Sequence, residues 1–129
     1  MNKQEAQITT KLKKWYHSVA ETSGPIEVKH TRGKNTFNLK ELSEHQIDWL
    51  KAATTNHGCW WKIPDTGYGA NPFDVLFYKN APAYVIIAYP VWVVAIHIDD
   101  ITLLDLKSLD QDTGLQISRF KVKLLDLPT

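Results

Sequence analysis

The longest apolar run of the chain, Ala81 to Ile98, decides most about what it can fold into. Pro82 and Tyr89-Pro90 interrupt it, so no unbroken stretch reaches the roughly 18 to 20 apolar residues of a membrane span. It reads instead as two strands, Ala83 to Tyr89 and Val91 to Ile98. Phe73-Asp74-Val75-Leu76-Phe77-Tyr78 is a third, and the connection Lys79-Asn80-Ala81-Pro82 is short enough to join it to Ala83–Tyr89 as a hairpin.

Around this strand-rich centre the periodicity is helical. Ile8, Leu12, Trp15, Tyr16 and Val19 recur at helix spacing, with Lys11, Lys13 and Lys14 on the remaining surface, so residues 3 to 20 form an amphipathic helix. Ser23-Gly24-Pro25 punctuates the chain, Ile26 to His30 is a strand, and Thr31 to Asn35 a basic loop. A second helix is expected from Asn38, which can cap it while Glu41 reaches back, and His57-Gly58 ends it. Its apolar stripe runs Leu39, Leu42, Gln46, Trp49, Leu50 and Ala53, placing the Gln46 amide where it must find partners. Cys59 to Ile63 is a further strand stopped by Pro64, Asp100 to Leu109 a short helix, and Leu115 to Leu124 a terminal strand or arm. The expected fold class is α/β, a mixed sheet with helices packed on it.

With 129 residues, 43% of them hydrophobic, the chain supports one real core, and a single domain over 1–129 is expected, its core at about 3–98 and a C-terminal helix and strand over 99–129. Fifteen Lys and Arg against fourteen Asp and Glu give a net charge of +1, so any basic surface that contacts nucleic acid must be local. The single cysteine, Cys59, excludes an internal disulfide and a multi-cysteine zinc site. The opening Met1-Asn2-Lys3-Gln4-Glu5 leads into a charged amphipathic segment rather than a signal peptide. A soluble, cytoplasmic protein is the expectation.

The residues with chemical potential sit on the first strand. Side chains alternate along a strand, so Glu27 and Lys29 project to one face while Ile26, Val28 and His30 point to the other. A carboxylate beside an amine can hold a divalent metal and stabilise charge on a phosphate. Asp74 is the second acidic candidate: it either shares a metal with Glu27 or caps the preceding turn. The loop His30-Thr31-Arg32-Gly33-Lys34 leaves the same strand and is either a phosphate contact or a solvated turn. Lys11, Lys13 and Lys14 could extend such a track. Cys59, heading an apolar strand, and most of the five tryptophans read as packing residues.

The run Ile26-Glu27-Val28-Lys29, then Phe37 to Leu50 containing His45-Gln46, then Gly58-Cys59-Trp60-Trp61, resembles the PD-(D/E)XK nuclease superfamily, and in particular its Holliday junction resolvases. The resemblance covers residues 3 to 90 and rests on order as much as identity. It implies a restriction-endonuclease-like mixed sheet flanked by helices, Mg²⁺ or Mn²⁺ as cofactor, branched DNA as substrate, and a homodimer. Carried over by position, it makes Glu27 a metal ligand, Lys29 the lysine that positions the attacking water, Gln46 an active-site helix residue, and Glu5 an acid on the first helix that helps hold the metal. His30, Arg32 and Lys34 become the DNA-binding loop. One departure stands out: the family's aspartate strand, normally just before the acid-x-lysine strand, has no room between the first helix and Ile26. Asp74 would supply that metal ligand from downstream, in a rearranged strand order, with Asp65 in reserve. Without either, the chain would be a catalytically inactive nuclease-fold module binding DNA or protein.

Overall fold

The computed structural model describes residues 3–20, 24–62 and 75–127. Helix α1 (Lys3–Val19) and strand β1 (Ile26–His30) follow the expected positions. The chain then departs from expectation. Residues Thr36–Asn38 form a strand, β2, followed by a single 3-10 turn over Leu39–Glu41, and helix α2 begins only at Glu44 and ends at Thr54. Asn38 does cap, but it caps the 3-10 turn, its Oδ1 accepting from the Lys40 amide at 3.0 Å. The capping box of α2 belongs to Ser43 and Gln46 instead. Two capping signals lie five residues apart, and packing, with Leu42 and Phe37 buried together, selects the second.

Strands β3 (Cys59–Lys62) and β4 (Val75–Tyr78) pair antiparallel with each other, so the expected hairpin between β4 and β5 (Tyr84–Ala88) does not form. β5 instead hydrogen-bonds to β1 in parallel and to β6 (Trp92–His97) antiparallel. The turn at Tyr89-Pro90 closes the β5–β6 hairpin, with the Tyr89 amide donating to the Trp92 carbonyl at 2.9 Å. Helix α3 spans only Ile98–Thr102, shorter than the expected 100–109, and strand β7 (Ser108–Asp110) follows it. The segment expected as a strand over 115–124 is split: α4 (Gln111–Ile117) takes its first part and β8 (Phe120–Lys123) its second.

The result is a mixed α/β architecture. Its main sheet has four strands in the order β1-β5-β6-β8, and β2–β7 and β3–β4 form two-stranded ribbons. Both central strands are covered on both faces. Val85, Ile87, Val94 and Ile96 pack with Phe37, Leu50, Ile101 and Leu109, whereas Tyr84, Ile86, Val93 and Ala95 pack with Leu12, Trp15 and Tyr16 of α1. Such strands lose the in-out alternation of a half-exposed sheet, which is why the 81–98 run is nearly continuous in apolar residues. Gly24 sets the entry into β1: a Cβ there would lie 1.7 Å from the Pro82 carbonyl oxygen, so only glycine lets the two backbones approach before the parallel ladder starts. Among the described residues no helix is long and apolar enough to cross a membrane.

Candidate active site

β1 is an edge strand of the main sheet, and its register with β5 fixes the direction of every side chain on it. Glu27 and Lys29 lie opposite Val85 and Ile87, on the face that carries α2, whereas Ile26 and Val28 pack toward α1. The predicted division of the strand into two faces is therefore the one observed.

Gln46 reaches Glu27 across 19 positions of sequence: its Nε2 donates to Glu27 Oε1 at 3.0 Å. The side-chain amide is tethered at its other end. Its own Oε1 accepts from the Ser43 backbone amide at 3.0 Å, while the Gln46 backbone amide donates to Ser43 Oγ at 3.1 Å. The cap that starts the helix thus aims the donor at the carboxylate. Lys29 Nζ lies 3.7 Å from the same Glu27 oxygen, with the two side chains 21% and 27% exposed. Glu27 Oε1 is held by an amide and faces an ammonium. Oε2 takes no hydrogen bond among the described residues, and the side chain lines an open cleft.

Glu5 lines that cleft as well, but from α1. Its carboxylate accepts from Arg32 Nε at 3.1 Å, so this ion pair runs to the basic loop. His30 Nε2 shares a hydrogen bond of 3.0 Å with Thr9 Oγ1 of α1. Burial, reinforced by the Arg32 charge and opposed by Glu5, holds the His30 imidazole below its usual pKa. This histidine is therefore anchored on the α1 side rather than displayed in a loop. Arg32 and Lys34 do stand in solvent at the tip of a tight turn, closed by the Lys34 amide donating to the Thr31 carbonyl at 3.2 Å. Both central residues have positive φ, +55° at Arg32 and +85° at Gly33, the signature of a type I′ turn. A left-handed arginine costs about 1–2 kcal/mol.

Of the predicted site residues, Glu27, Lys29 and Gln46 come together, and Glu5, His30 and Arg32 line the same cleft as the first two. Asp74 and Asp65, the metal aspartates expected from the sequence, lie outside the described residues. Lys13 joins the cleft wall, while Lys11 and Lys14 do not. Two expectations elsewhere are corrected. Trp49, expected on the inward stripe of the second helix, is 54% exposed, and Trp60, at 66%, leans over Phe77 across the β3–β4 ribbon with ring centroids 4.8 Å apart. Cys59 is half-buried, its thiol donating to the Trp49 carbonyl at 3.4 Å. Ser43, whose amide holds the Gln46 side chain, and Lys40 and Lys107, which line a neighbouring cleft, are positions that sequence reasoning misses. Ser43 carries a legible signal, a serine three residues before a glutamine; Lys107 carries none, because only a strand pairing brings it near.

The donor set can be weighed against a divalent metal. Among the described residues no three His, Cys, Asp or Glu side chains gather into a ready-made cage. Mg²⁺ does not require one: it is commonly held by one or two carboxylates, with water and substrate phosphates completing the shell. Glu27, a hard oxygen donor in an open cleft beside a single ammonium, meets that requirement at its lower bound. Comparison with protein-family profiles, characterised proteins and solved structures gives no significant match.

Proposed function

We propose that this chain is a metal-dependent DNA endonuclease of restriction-endonuclease-like fold with rearranged strand order, cutting phosphodiesters of branched DNA such as a Holliday junction. The observation that carries the reading is the hydrogen bond from Gln46 to Glu27, with Lys29 on the same strand face. An acid-x-lysine strand is common. One whose acid is gripped by a glutamine fixed in a helix cap is a built arrangement.

In this reading Glu27 holds Mg²⁺ or Mn²⁺, with Asp74, or Asp65 in its place, as the second carboxylate. The bound ion supplies Lewis acidity at the phosphoryl group and a water of lowered pKa. Lys29 orients the attacking water by hydrogen bonding and stabilises the negative charge that builds on the phosphoryl oxygens. As the water oxygen bonds to phosphorus, the bond from phosphorus to the leaving sugar oxygen breaks; the attacking water's proton passes to solvent in the open cleft, and solvent protonates the departing oxygen. Gln46 is a positioning residue: it fixes the Glu27 rotamer so that the carboxylate need not reorganise. Glu5 acts through Arg32, holding the basic loop against α1. A homodimer would present two such sites to the two strands of a junction.

The test is cleavage of labelled junction, flap and duplex DNA in Mg²⁺ or Mn²⁺. Glu27→Gln and Lys29→Ala are each expected to lose about 100-fold or more in rate, with melting temperatures near that of the parent. Undiminished cleavage by both variants overturns the site. One observation favours the rival, an inactive module that binds DNA or protein: Glu27 Oε1 already has an amide and an ammonium as partners, which balance the carboxylate without an ion. Calorimetric titration with Mn²⁺ separates the two, since the enzyme binds the ion and loses binding in Glu27→Gln.

A further inference from the structure

The β2–β7 ribbon creates a feature that no local stretch of sequence contains. Its register sets Asn38 opposite Ser108, and the Leu39 amide donates to the Lys107 carbonyl at 3.0 Å, which brings Lys107 beside Lys40. The type I′ turn delivers Arg32 and Lys34 to the same place. These four cations line one cleft of about 520 Å³, where Glu41 is the one acidic side chain on the wall among the described residues. Among those residues Lys34, Lys40 and Lys107 form no ion pair, and all three are exposed. In a chain of net charge +1, such a local excess is not a by-product of composition. Convergent like charges repel, and an anion relieves the repulsion.

The cleft adjoins the one that holds Glu27 and Lys29, since both have His30, Arg32 and Glu41 on their walls. An anion that fills both must be extended and carry repeated charges. We infer that the β2–β7 cleft is a phosphate track for the DNA backbone flanking the strand at Glu27, with Lys40 and Lys107 as its contacts. The identity of the polyanion rests on the nuclease reading. Ser108 adds a hydroxyl suited to phosphate oxygens, and Asp110 does not oppose the field from the cleft wall: its carboxylate caps α4, accepting from the Thr113 amide at 2.9 Å.

Fluorescence anisotropy with a labelled DNA duplex, in EDTA and over a series of salt concentrations, tests the track apart from the chemistry. The Lys40→Ala/Lys107→Ala double variant is expected to bind about 10-fold or more weakly, and the slope of log K against log salt should shrink by about 2, nearly one for each phosphate left without its lysine. The control pair Lys121→Ala/Lys123→Ala, on β8 at the far edge of the sheet, removes the same charge and should leave the slope unchanged. Unchanged affinity and slope in the Lys40/Lys107 variant, or an equal loss in the control, overturns the track whatever the cleavage assay gives. If the parent cleaves none of the junction, flap and duplex DNAs in Mg²⁺ or Mn²⁺, the nuclease reading fails while the lysine slopes measured in EDTA still decide the track.

Discussion

The Glu27–Lys29 pair, partly exposed and 3.7 Å apart, contributes little to folding: pairs of this kind are worth about 0–1 kcal/mol. In the proposed nuclease its value would be positional, so loss of cleavage without loss of stability is the outcome to seek at Lys29. Tyr16 presents the opposite case. Its ring is fully buried between α1 and the sheet, near Tyr84 and Phe120, and its hydroxyl has no hydrogen-bond partner among the described residues. Burial, together with the neighbouring Tyr84 and Tyr78, pushes the phenol up to about 12. Removing an unpaired buried hydroxyl relieves a desolvation cost, so Tyr16→Phe should unfold at equal or higher denaturant, with a gain of up to about 1–2 kcal/mol. Chemical denaturation followed by circular dichroism reads this directly; a marked loss of stability would show that the hydroxyl has a partner after all.

At the level of elements, the start of α2 does two jobs with the same atoms. Ser43 caps the helix and, through its backbone amide, orients the Gln46 side chain toward Glu27. Ser43→Ala removes the hydroxyl that accepts from the Gln46 amide, at a cost of about 1 kcal/mol. Ser43→Asp keeps an N-cap acceptor and should recover that stability, measured by thermal melting. Gln46 stands out in the sequence because a polar residue falls on an apolar stripe, yet the stripe does not belong to one helix face. Leu39 and Leu42 precede the helix, and Trp49 faces solvent. The right residue emerges because an inward amide needs a partner under either register.

Across the whole molecule, two histidines couple folding to mild acidification. Burial, and then the Arg119 charge, hold His97 below its usual pKa, with Asp99 and Asp100 opposing, and burial does the same for His30. In the folded state both bind protons less readily than in the unfolded chain, so their contribution is complete above about pH 6.5 and is lost as pH falls through the lowered values. His97 also caps α3, its Nδ1 accepting from the Asp99 amide at 3.1 Å, and protonation abolishes that acceptor. Melting temperature should therefore fall on acidification from about pH 7.5 to 5.5. His97→Asn retains a capping acceptor without a titrating ring and should flatten the fall; an unchanged profile would remove His97 from the account. On the alkaline side the signs reverse, since Tyr16 and Tyr89 are both raised and their contribution is lost above about pH 10.

Local rules are enough for α1, whose stripe of Leu12, Trp15 and Tyr16 has one periodicity, and for β1, where alternation alone separates Glu27 and Lys29 from Ile26 and Val28. They are also enough to mark Gln46, because a half-buried amide on an apolar stripe must be satisfied wherever the helix begins. Strand partners lie beyond them. β4, β5 and β6 are apolar enough to pair in several ways, and the short sequence distance between β4 and β5 favours a hairpin that the fold does not make. The choice falls to packing on both faces of the sheet, which rewards β1 beside β5 and leaves β4 to β3. The same non-local pairing brings Lys107 to Lys40, 67 positions apart in a chain whose charge is nearly balanced overall. Sequence alone marked which residues are candidates for chemistry; tertiary structure decided which of them meet, because that depends on burying surface between segments that local periodicity cannot relate.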